Sequence, residues 1–189
     1  CLESLMIIRN AQAEGIRVTA DVAIHQLFFD ENSINNFNSD FHVMPPFRAN
    51  EDMVALQKSI SENTLTAICS DHQPHNKDAK QAPFYNTQPG ISSIELLLPL
   101  LMELVNLNFL DLNTAISKVT INPAKILGIE AGIIQKDSQA DLCILKKEEW
   151  QLEGDKIISS GKNNPYIGKK FNMVVAKTIF KGQIVYENN

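Results

Sequence analysis

The stretch AICSDHQPH, residues 67–75, decides how the chain is interpreted, because a small apolar run ends there in an acid and two histidines. Residues 65–70 are typical of a short buried strand, which places Asp71 at its C-terminal tip. In α/β proteins the C-terminal tips of parallel strands face the active site. An acid and two imidazoles there could bind a metal, take a proton or hold an anionic substrate. The alternative is that Asp71 caps a turn and the histidines are solvated.

The residues before this stretch repeat the same pattern. Residues 3–14 predict an amphipathic helix that ends at Gly15, and residues 16–23 alternate like a strand that leads to His25. Residues 51–63 predict a second helix, with Asn50 as its N-cap. Helix, strand, loop, helix, strand, loop is the repeating unit of a parallel α/β fold, so we expect His25 and Asp71 at the same face of the sheet.

The residues after it form a long loop, residues 73–93, followed by helices. Within the loop, Pro89 and Gly90 predict a turn whose exposed backbone could approach a ligand closely. The predicted helices cover residues 94–104, capped by Ser92 or Ser93 and kinked at Pro99, residues 111–119, and the stretch from an Asn122 N-cap to Gly128.

The pattern changes after Gly128. Residues 140–145, 173–180 and 183–187 are strand-like, and Lys181-Gly182 predicts a tight hairpin turn between the last two. Because three short strands rarely stand alone, they are expected to need strands from elsewhere. We therefore predict an α/β domain over residues 1–128 and part of a small β domain over residues 129–189.

Composition excludes several classes of protein. The 189 residues are 44% hydrophobic and 21% charged, with a net charge of −5, which argues against a nucleic-acid partner. Three widely spaced cysteines give no disulfide framework, so a reducing cytoplasm fits best. No apolar run of membrane-spanning length occurs, and no membrane partner is expected. The chain opens at Cys1 within a helical pattern, which predicts a piece of a longer polypeptide.

Five motifs, taken in order, resemble those of the cyclic amidohydrolases, and within them the class I dihydroorotases. Each motif alone is weak, but their shared order makes the resemblance specific, and it covers nearly the whole chain. The motifs are MPPFR at residues 44–48, DHQPH at 71–75, the Pro-Gly turn leading through a glutamate to a proline at 89–99, NPA at 122–124, and ADL at 140–142.

The resemblance implies a metal-dependent (β/α)₈ TIM-type barrel with a composite β domain, of which this chain would be the C-terminal half. In the family, the acid at the end of the last barrel strand binds zinc and shuttles a proton, and Asp71 matches that position. The other zinc ligands would precede Cys1 in the same protein. The remaining matches are His75 and the Pro89-Gly90 backbone as substrate contacts. His72 is expected to hydrogen-bond around the site without binding the metal, and His25 either to do the same or to line the pocket.

The chain departs from the family pattern at four positions: Ile24 replaces a proline, Gln26 a histidine, Met44 an asparagine and Gln73 an alanine. Two hypotheses follow. The first is an active zinc dihydroorotase of pyrimidine biosynthesis, which interconverts carbamoyl aspartate and dihydroorotate, as a homo-oligomer. The second is a catalytically silent dihydroorotase-like subunit that holds aspartate carbamoyltransferase in an assembly. A third possibility is a hydantoinase- or allantoinase-like enzyme, which His75 disfavours because a carboxylate-binding histidine suits dihydroorotate.

Overall fold

A computed structural model describes residues 1–188, and its first half is built from two helix–strand units. Helix α1 spans Leu2–Ala13 and strand β1 spans Asp21–Ala23; helix α2 spans Asn50–Ser61 and strand β2 spans Ala67–Cys69. The two strands pair in parallel, with Val22 opposite Ile68. The predicted parallel α/β arrangement is therefore present, and the C-terminal ends of both strands lie at one edge.

Both strands are shorter than the sequence pattern predicts. The alternation over residues 16–19 does not continue the ladder, because Val18 N–H donates to Ile16 O in a local bond that extended backbone does not make. Only three residue pairs of β1 and β2 face each other. The alternation thus indicated that a strand exists but not where it begins.

A leucine-rich helix supplies the centre of the core. Helix α3, Leu97–Asn106, follows a 3₁₀ turn at Ile94–Leu96, and its Leu100, Leu101 and Leu104 are fully buried. The backbone bond that Pro99 was expected to break does not exist in this helix. Pro99 is the third residue of α3, where a backbone N–H would have no partner within the helix, so the ring removes no such bond.

Helix α4, Leu112–Val119, is capped by Asp111, whose side chain accepts a hydrogen bond from Thr114 N–H. Helix α5, Ile121–Leu127, ends at Gly128 in the left-handed conformation, as predicted. The predicted caps Asn50 and Asn122 are wrong, since both residues lie inside their helices. Asn122 instead donates from Nδ2 to the carbonyl of Thr66, which ties α5 to the start of β2.

The last part of the chain is an antiparallel sheet in the order β3-β4-β5. The strands span Leu142–Gln151, Lys170–Phe180 and Gln183–Glu187. The two-residue turn at Lys181-Gly182 is present, and both residues have positive φ, as a tight hairpin requires. Strand β3 runs six residues beyond the predicted stretch, because the charged residues 146–149 belong to an exposed strand and hide its pattern.

Residues 152–169 connect β3 to β4 and pack back against the first half of the chain. Tyr166 is buried in this connection, and its ring lies 4.8 Å from that of Phe29, centroid to centroid. Five further 3₁₀ turns lie in the loops, at Ile24–Leu27, Glu31–Ile34, Ser39–Phe41, Asp78–Lys80 and Phe84–Asn86. Among residues 1–188, no helix combines the length and the apolar character that crossing a membrane requires.

Candidate active site

The site forms where β1 and β2 end side by side. His25 lies in the 3₁₀ turn directly after β1, and Asp71 lies two residues after β2. Asp71 has a φ of 48°, in the left-handed region that aspartate tolerates better than most residues. The parallel pairing brings the two side chains together, with Asp71 Oδ2 3.8 Å from His25 Nε2.

His25 is enclosed in an apolar environment with no hydrogen-bond partner. Its side chain is 1% exposed and meets the edge of the Phe47 ring, and neither ring nitrogen has a partner among residues 1–188. Burial lowers the pKa of His25 to about 4, although the nearby Asp71 carboxylate opposes this. The ring is therefore neutral at neutral pH, so the 3.8 Å contact is not an ion pair.

The other Asp71 oxygen is already engaged. Oδ1 accepts a hydrogen bond of 3.0 Å from Nε2 of Gln73, the residue that replaces an alanine in the family pattern. Asp71 keeps about a third of its side chain exposed, so Oδ2 stays open towards His25 and the surface. One carboxylate oxygen is thus held by the chain and the other remains available to a ligand.

The buried His25 imidazole and the half-buried Asp71 carboxylate together fit a zinc ion chemically. Zinc in proteins takes carboxylate oxygen and neutral imidazole nitrogen, and the unpaired, uncharged His25 Nε2 beside Asp71 Oδ2 supplies one of each. Elsewhere in residues 1–188, three potential ligand groups lie within mutual reach only at Cys1, Glu3 and Asp52, at the starts of α1 and α2. Asp52 Oδ1 there already accepts a bond from Leu2 N–H.

His72 points to the loop and not to Asp71. Its Nδ1 accepts two backbone bonds of 3.1 Å, from the N–H groups of Ser93 and Ile94. These bonds place the ring proton on Nε2. The backbone of His72 also forms an isolated parallel bridge with Ile91, so the ring and the backbone both attach the end of β2 to the start of the next helix.

The residues that were expected to contact substrate lie together. His75 Nε2 is 2.9 Å from the carbonyl oxygen of Pro89, and Gly90 follows with a φ of 136°. A Cβ on Gly90 would lie 2.4 Å from the Cβ of Gln73, so only glycine fits there. Gln73 therefore sits between Gly90 on one side and the Asp71 carboxylate on the other.

A cleft of about 530 Å³ opens beside His75. Its lining carries three lysines, Lys77, Lys80 and Lys162, against one acid, Asp40. The Lys80 ammonium donates to the carbonyls of Ser39 and Gly90, which do not neutralise its charge. This excess of positive charge, in a chain of net charge −5, favours an anionic ligand.

Sequence reasoning missed two residues that hold this region, Asn163 and Gly161. Asn163 bonds through its side-chain amide to the backbones of Gln73, His75 and Gly90. Its only sequence signal is an Asn-Asn-Pro run between two strands, which is typical of an ordinary turn. Nothing in that run indicates a contact 88 residues away.

The comparisons with known proteins agree with this geometry. The amidohydrolase family model matches residues 4–185. A dihydroorotase-like protein of Pseudomonas aeruginosa is 39% identical over 181 residues, which cover 96% of this chain and 43% of that protein. A dihydroorotase of Geotalea daltonii is 34% identical over 187 residues, which cover 98% of this chain and 44% of that protein. The chain thus spans less than half the length of these curated relatives.

Solved structures agree on the fold. An L-hydantoinase from Arthrobacter aurescens matches with a TM-score of 0.91 and 24% identity, over 98% of this chain and 43% of that one. An inactive dihydroorotase-like domain of a Chaetomium thermophilum CAD-like multifunctional protein matches with a TM-score of 0.72 and 18% identity, over 97% of this chain and 48% of that one. The predicted fold class, the C-terminal half of a (β/α)₈ TIM-type barrel with part of a small β domain, is confirmed. The chain belongs to the amidohydrolase family.

Proposed function

We propose that the full-length protein is a zinc-dependent dihydroorotase, which interconverts carbamoyl aspartate and dihydroorotate in pyrimidine biosynthesis. The observation that carries this proposal is the Asp71 carboxylate at the strand tip, with its free oxygen 3.8 Å from a buried, unpaired imidazole. Relatives named dihydroorotase support the same reaction class, hydrolysis of a cyclic amide.

In this proposal Asp71 holds zinc and moves the proton. Zinc in such a site supplies Lewis-acid chemistry, by lowering the pKa of water and polarising a carbonyl group. When the ring opens, the water oxygen bonds to the amide carbon and the carbon–nitrogen bond breaks. The Asp71 carboxylate takes the proton that water releases and returns it to the leaving nitrogen. Ring closure is the reverse of these steps.

The substrate carboxylate is assigned to His75. Because His75 Nε2 is hydrogen-bonded to Pro89 O, Nδ1 is the ring nitrogen that remains for a ligand. The Pro89-Gly90 backbone adjoins the His75 ring, and the lysine-rich cleft next to His75 attracts an anion. His25 and His72 are assigned no bond to the substrate.

Zinc content and turnover of dihydroorotate, measured together on the intact full-length protein, test this proposal. We expect about one or two zinc ions per chain with measurable turnover in both directions. A protein with neither zinc nor turnover would overturn it, whereas turnover of hydantoins in place of dihydroorotate would reassign the substrate.

The second candidate function is a silent subunit that holds aspartate carbamoyltransferase in an assembly. The observation that favours it is the Gln73 bond, which occupies one oxygen of the only family metal ligand in this chain. Met44, which replaces a substrate-binding asparagine of the family pattern, adds to this, since its side chain offers no amide hydrogen bonds and is 63% exposed. Co-purification with the transcarbamoylase, without zinc or turnover, would support this function.

The proposal extends to the rest of the assembly. The N-terminal half of the same protein would complete the barrel, over residues 1–128 of this chain, and the β domain, over residues 129–189. The full-length protein would act as a homo-oligomer in the cytoplasm. Light scattering of the full-length protein measures the number of subunits, and a monomer would contradict this part.

A further inference from the structure

The side chain of Asn163 joins the two loops that carry the proposed substrate contacts. It is 5% exposed, and its Oδ1 accepts a bond of 2.7 Å from His75 N–H. Its Nδ2 donates to Gln73 O at 3.0 Å and to Gly90 O at 2.9 Å. Both amide protons and one oxygen lone pair are therefore used, and every partner is a backbone atom at the site.

The backbone next to Asn163 also rests on His75. A Cβ at Gly161 would lie 2.3 Å from His75 N and 2.6 Å from His75 O, so no larger residue fits without moving the loop. Earlier in the same connection, the backbone N–H groups of Ile158 and Ser159 donate to the carboxylate of Glu95, which lies in the turn before α3. The connection from β3 to β4 is thus anchored on one side and pressed against the site on the other.

We propose that Asn163, supported by Gly161, is the positioning residue that fixes the spacing between His75 and Gly90 and thereby the affinity for the substrate carboxylate. This inference rests on the proposed function. A planar amide with three bonds holds the two loops at one separation. The chain itself does not fix this separation, because residues 76–89, which join His75 to Gly90, form a long loop. Without Asn163, His75 N–H and Gln73 O each lose the one partner that the amide supplies, while Gly90 O keeps its bond from Lys80.

Asn164 provides a matched control on the same segment. It is 2% exposed, its Nδ2 donates to Ser92 O at 2.7 Å, and its Oδ1 accepts from Tyr166 N–H at 2.9 Å. Residue type and burial are therefore closely similar, and both side chains bond to backbone atoms, three for Asn163 and two for Asn164. None of the Asn164 partners is a proposed substrate contact. A purely structural role for Asn163 predicts that the two alanine variants behave alike.

The experiment compares full-length Asn163→Ala and Asn164→Ala in steady-state dihydroorotate kinetics and thermal unfolding. We expect Asn163→Ala to raise KM about 10- to 100-fold with a smaller change in kcat, because displaced contacts weaken binding. Asn164→Ala should lower the melting temperature to a similar extent while its KM stays within about twofold of wild type. Equal KM values for the two variants would overturn the proposal.

Two glycine variants test the contact between Gly161 and the His75 backbone. Gly161→Ala should raise KM in the same direction, because the new Cβ pushes on the His75 backbone. Gly154→Ala is its control, since a Cβ there would make an ordinary 3.4 Å contact with the Ile167 side chain. If both glycine variants keep the wild-type KM, the contact between Gly161 and His75 has no role in substrate positioning.

A readout without turnover separates this proposal from the proposed function. In protein labelled with ¹⁵N-histidine, we expect Asn163→Ala to move the ring resonances of His75 and Asn164→Ala to leave them in place. If wild type shows no turnover but the His75 signals move, the proposed function fails and the positioning role of Asn163 stands. If wild type turns over and the His75 signals of the two variants agree, the positioning role fails alone.

Discussion

The two ends of the β1–β2 strand pair differ in whether their buried polar side chains have hydrogen-bond partners. At the C-terminal end, Asp71 is held at positive φ and the buried His25 has no hydrogen-bond partner among residues 1–188. At the N-terminal end of β2, the fully buried Lys118 donates to Asn63 Oδ1 and Leu65 O, both at 2.7 Å. Asn122 adds a bond of 2.9 Å to Thr66 O.

This difference separates a binding edge from a stabilising edge. Burying a polar group without a partner costs free energy, and a fold keeps such a cost where the group serves a ligand. At the N-terminal edge every group named above is paired, which is what stability requires. In barrels of this type the C-terminal edge carries the chemistry and the N-terminal edge the stability, and the hydrogen bonds here follow that division.

The largest effect is expected from Asp71→Asn in the full-length protein. The amide cannot take or return a proton, so turnover of dihydroorotate should fall about 10³-fold, with little change in the free energy of unfolding. Asp78→Asn, an exposed carboxylate in the following loop, is the control and should keep wild-type turnover. Retention of more than a tenth of the activity in Asp71→Asn would remove the acid–base role from this edge.

Lys118→Met tests the opposite edge. Methionine fills a similar volume but leaves the buried Leu65 O without its donor, while the exposed Asn63 can turn to water, so the free energy of unfolding should fall by about 2 kcal/mol. KM for dihydroorotate should stay at the wild-type value. Urea denaturation measures the first quantity, and Lys125→Met, an exposed lysine on α5, serves as the control. A stable variant with an altered KM would contradict the division between the two edges.

The sequence predicts the C-terminal edge better than the N-terminal one. His25 and Asp71 each end an apolar run, and that local signal is sufficient to place them at strand tips. Lys118 gives no such signal, since a lysine on an amphipathic helix is normally exposed, and its burial depends on acceptors more than 50 residues away.

The role of Asn163 could not be predicted from the sequence for a related reason. Its partners lie in loops 73 to 90 residues earlier, and hydrophobic periodicity says nothing about contacts between loops. The cap positions at Asn50 and Asn122 were predicted wrongly because asparagine favours both caps and side-chain bonds to distant acceptors, which here are the Asp30 carboxylate and the Thr66 carbonyl. Local preference could not distinguish the two.

A smaller effect is expected from His25→Phe. In the zinc-free protein the ring keeps the edge contact with Phe47 while two unpaired nitrogens disappear, so the free energy of unfolding should rise by about 1 kcal/mol. The pH dependence should change as well. The pKa of His25 is about 4 in the folded chain against an ordinary 6.5, so the unfolded state binds more protons between these values. Stability therefore falls as pH drops through that window.

Urea denaturation of wild type and His25→Phe, at several pH values from 7 to 4, measures both effects. The variant should lose less stability than wild type on acidification. A variant that is less stable than wild type at pH 7 would show that the His25 nitrogens have partners in the full-length protein, and the contrast between the two edges would then disappear.

The smallest effect is expected from Gln73→Ala, which restores the alanine of the family pattern. The amide of Gln73 donates to Asp71 Oδ1 and so occupies one oxygen of the carboxylate that moves the proton. Its removal should raise kcat by about fivefold, the equivalent of one hydrogen bond. If the wild-type protein is a silent subunit, the variant should remain silent, because one bond cannot replace missing zinc ligands. A fall in kcat would instead show that Gln73 orients Asp71 for catalysis, and the glutamine would then belong to the working site.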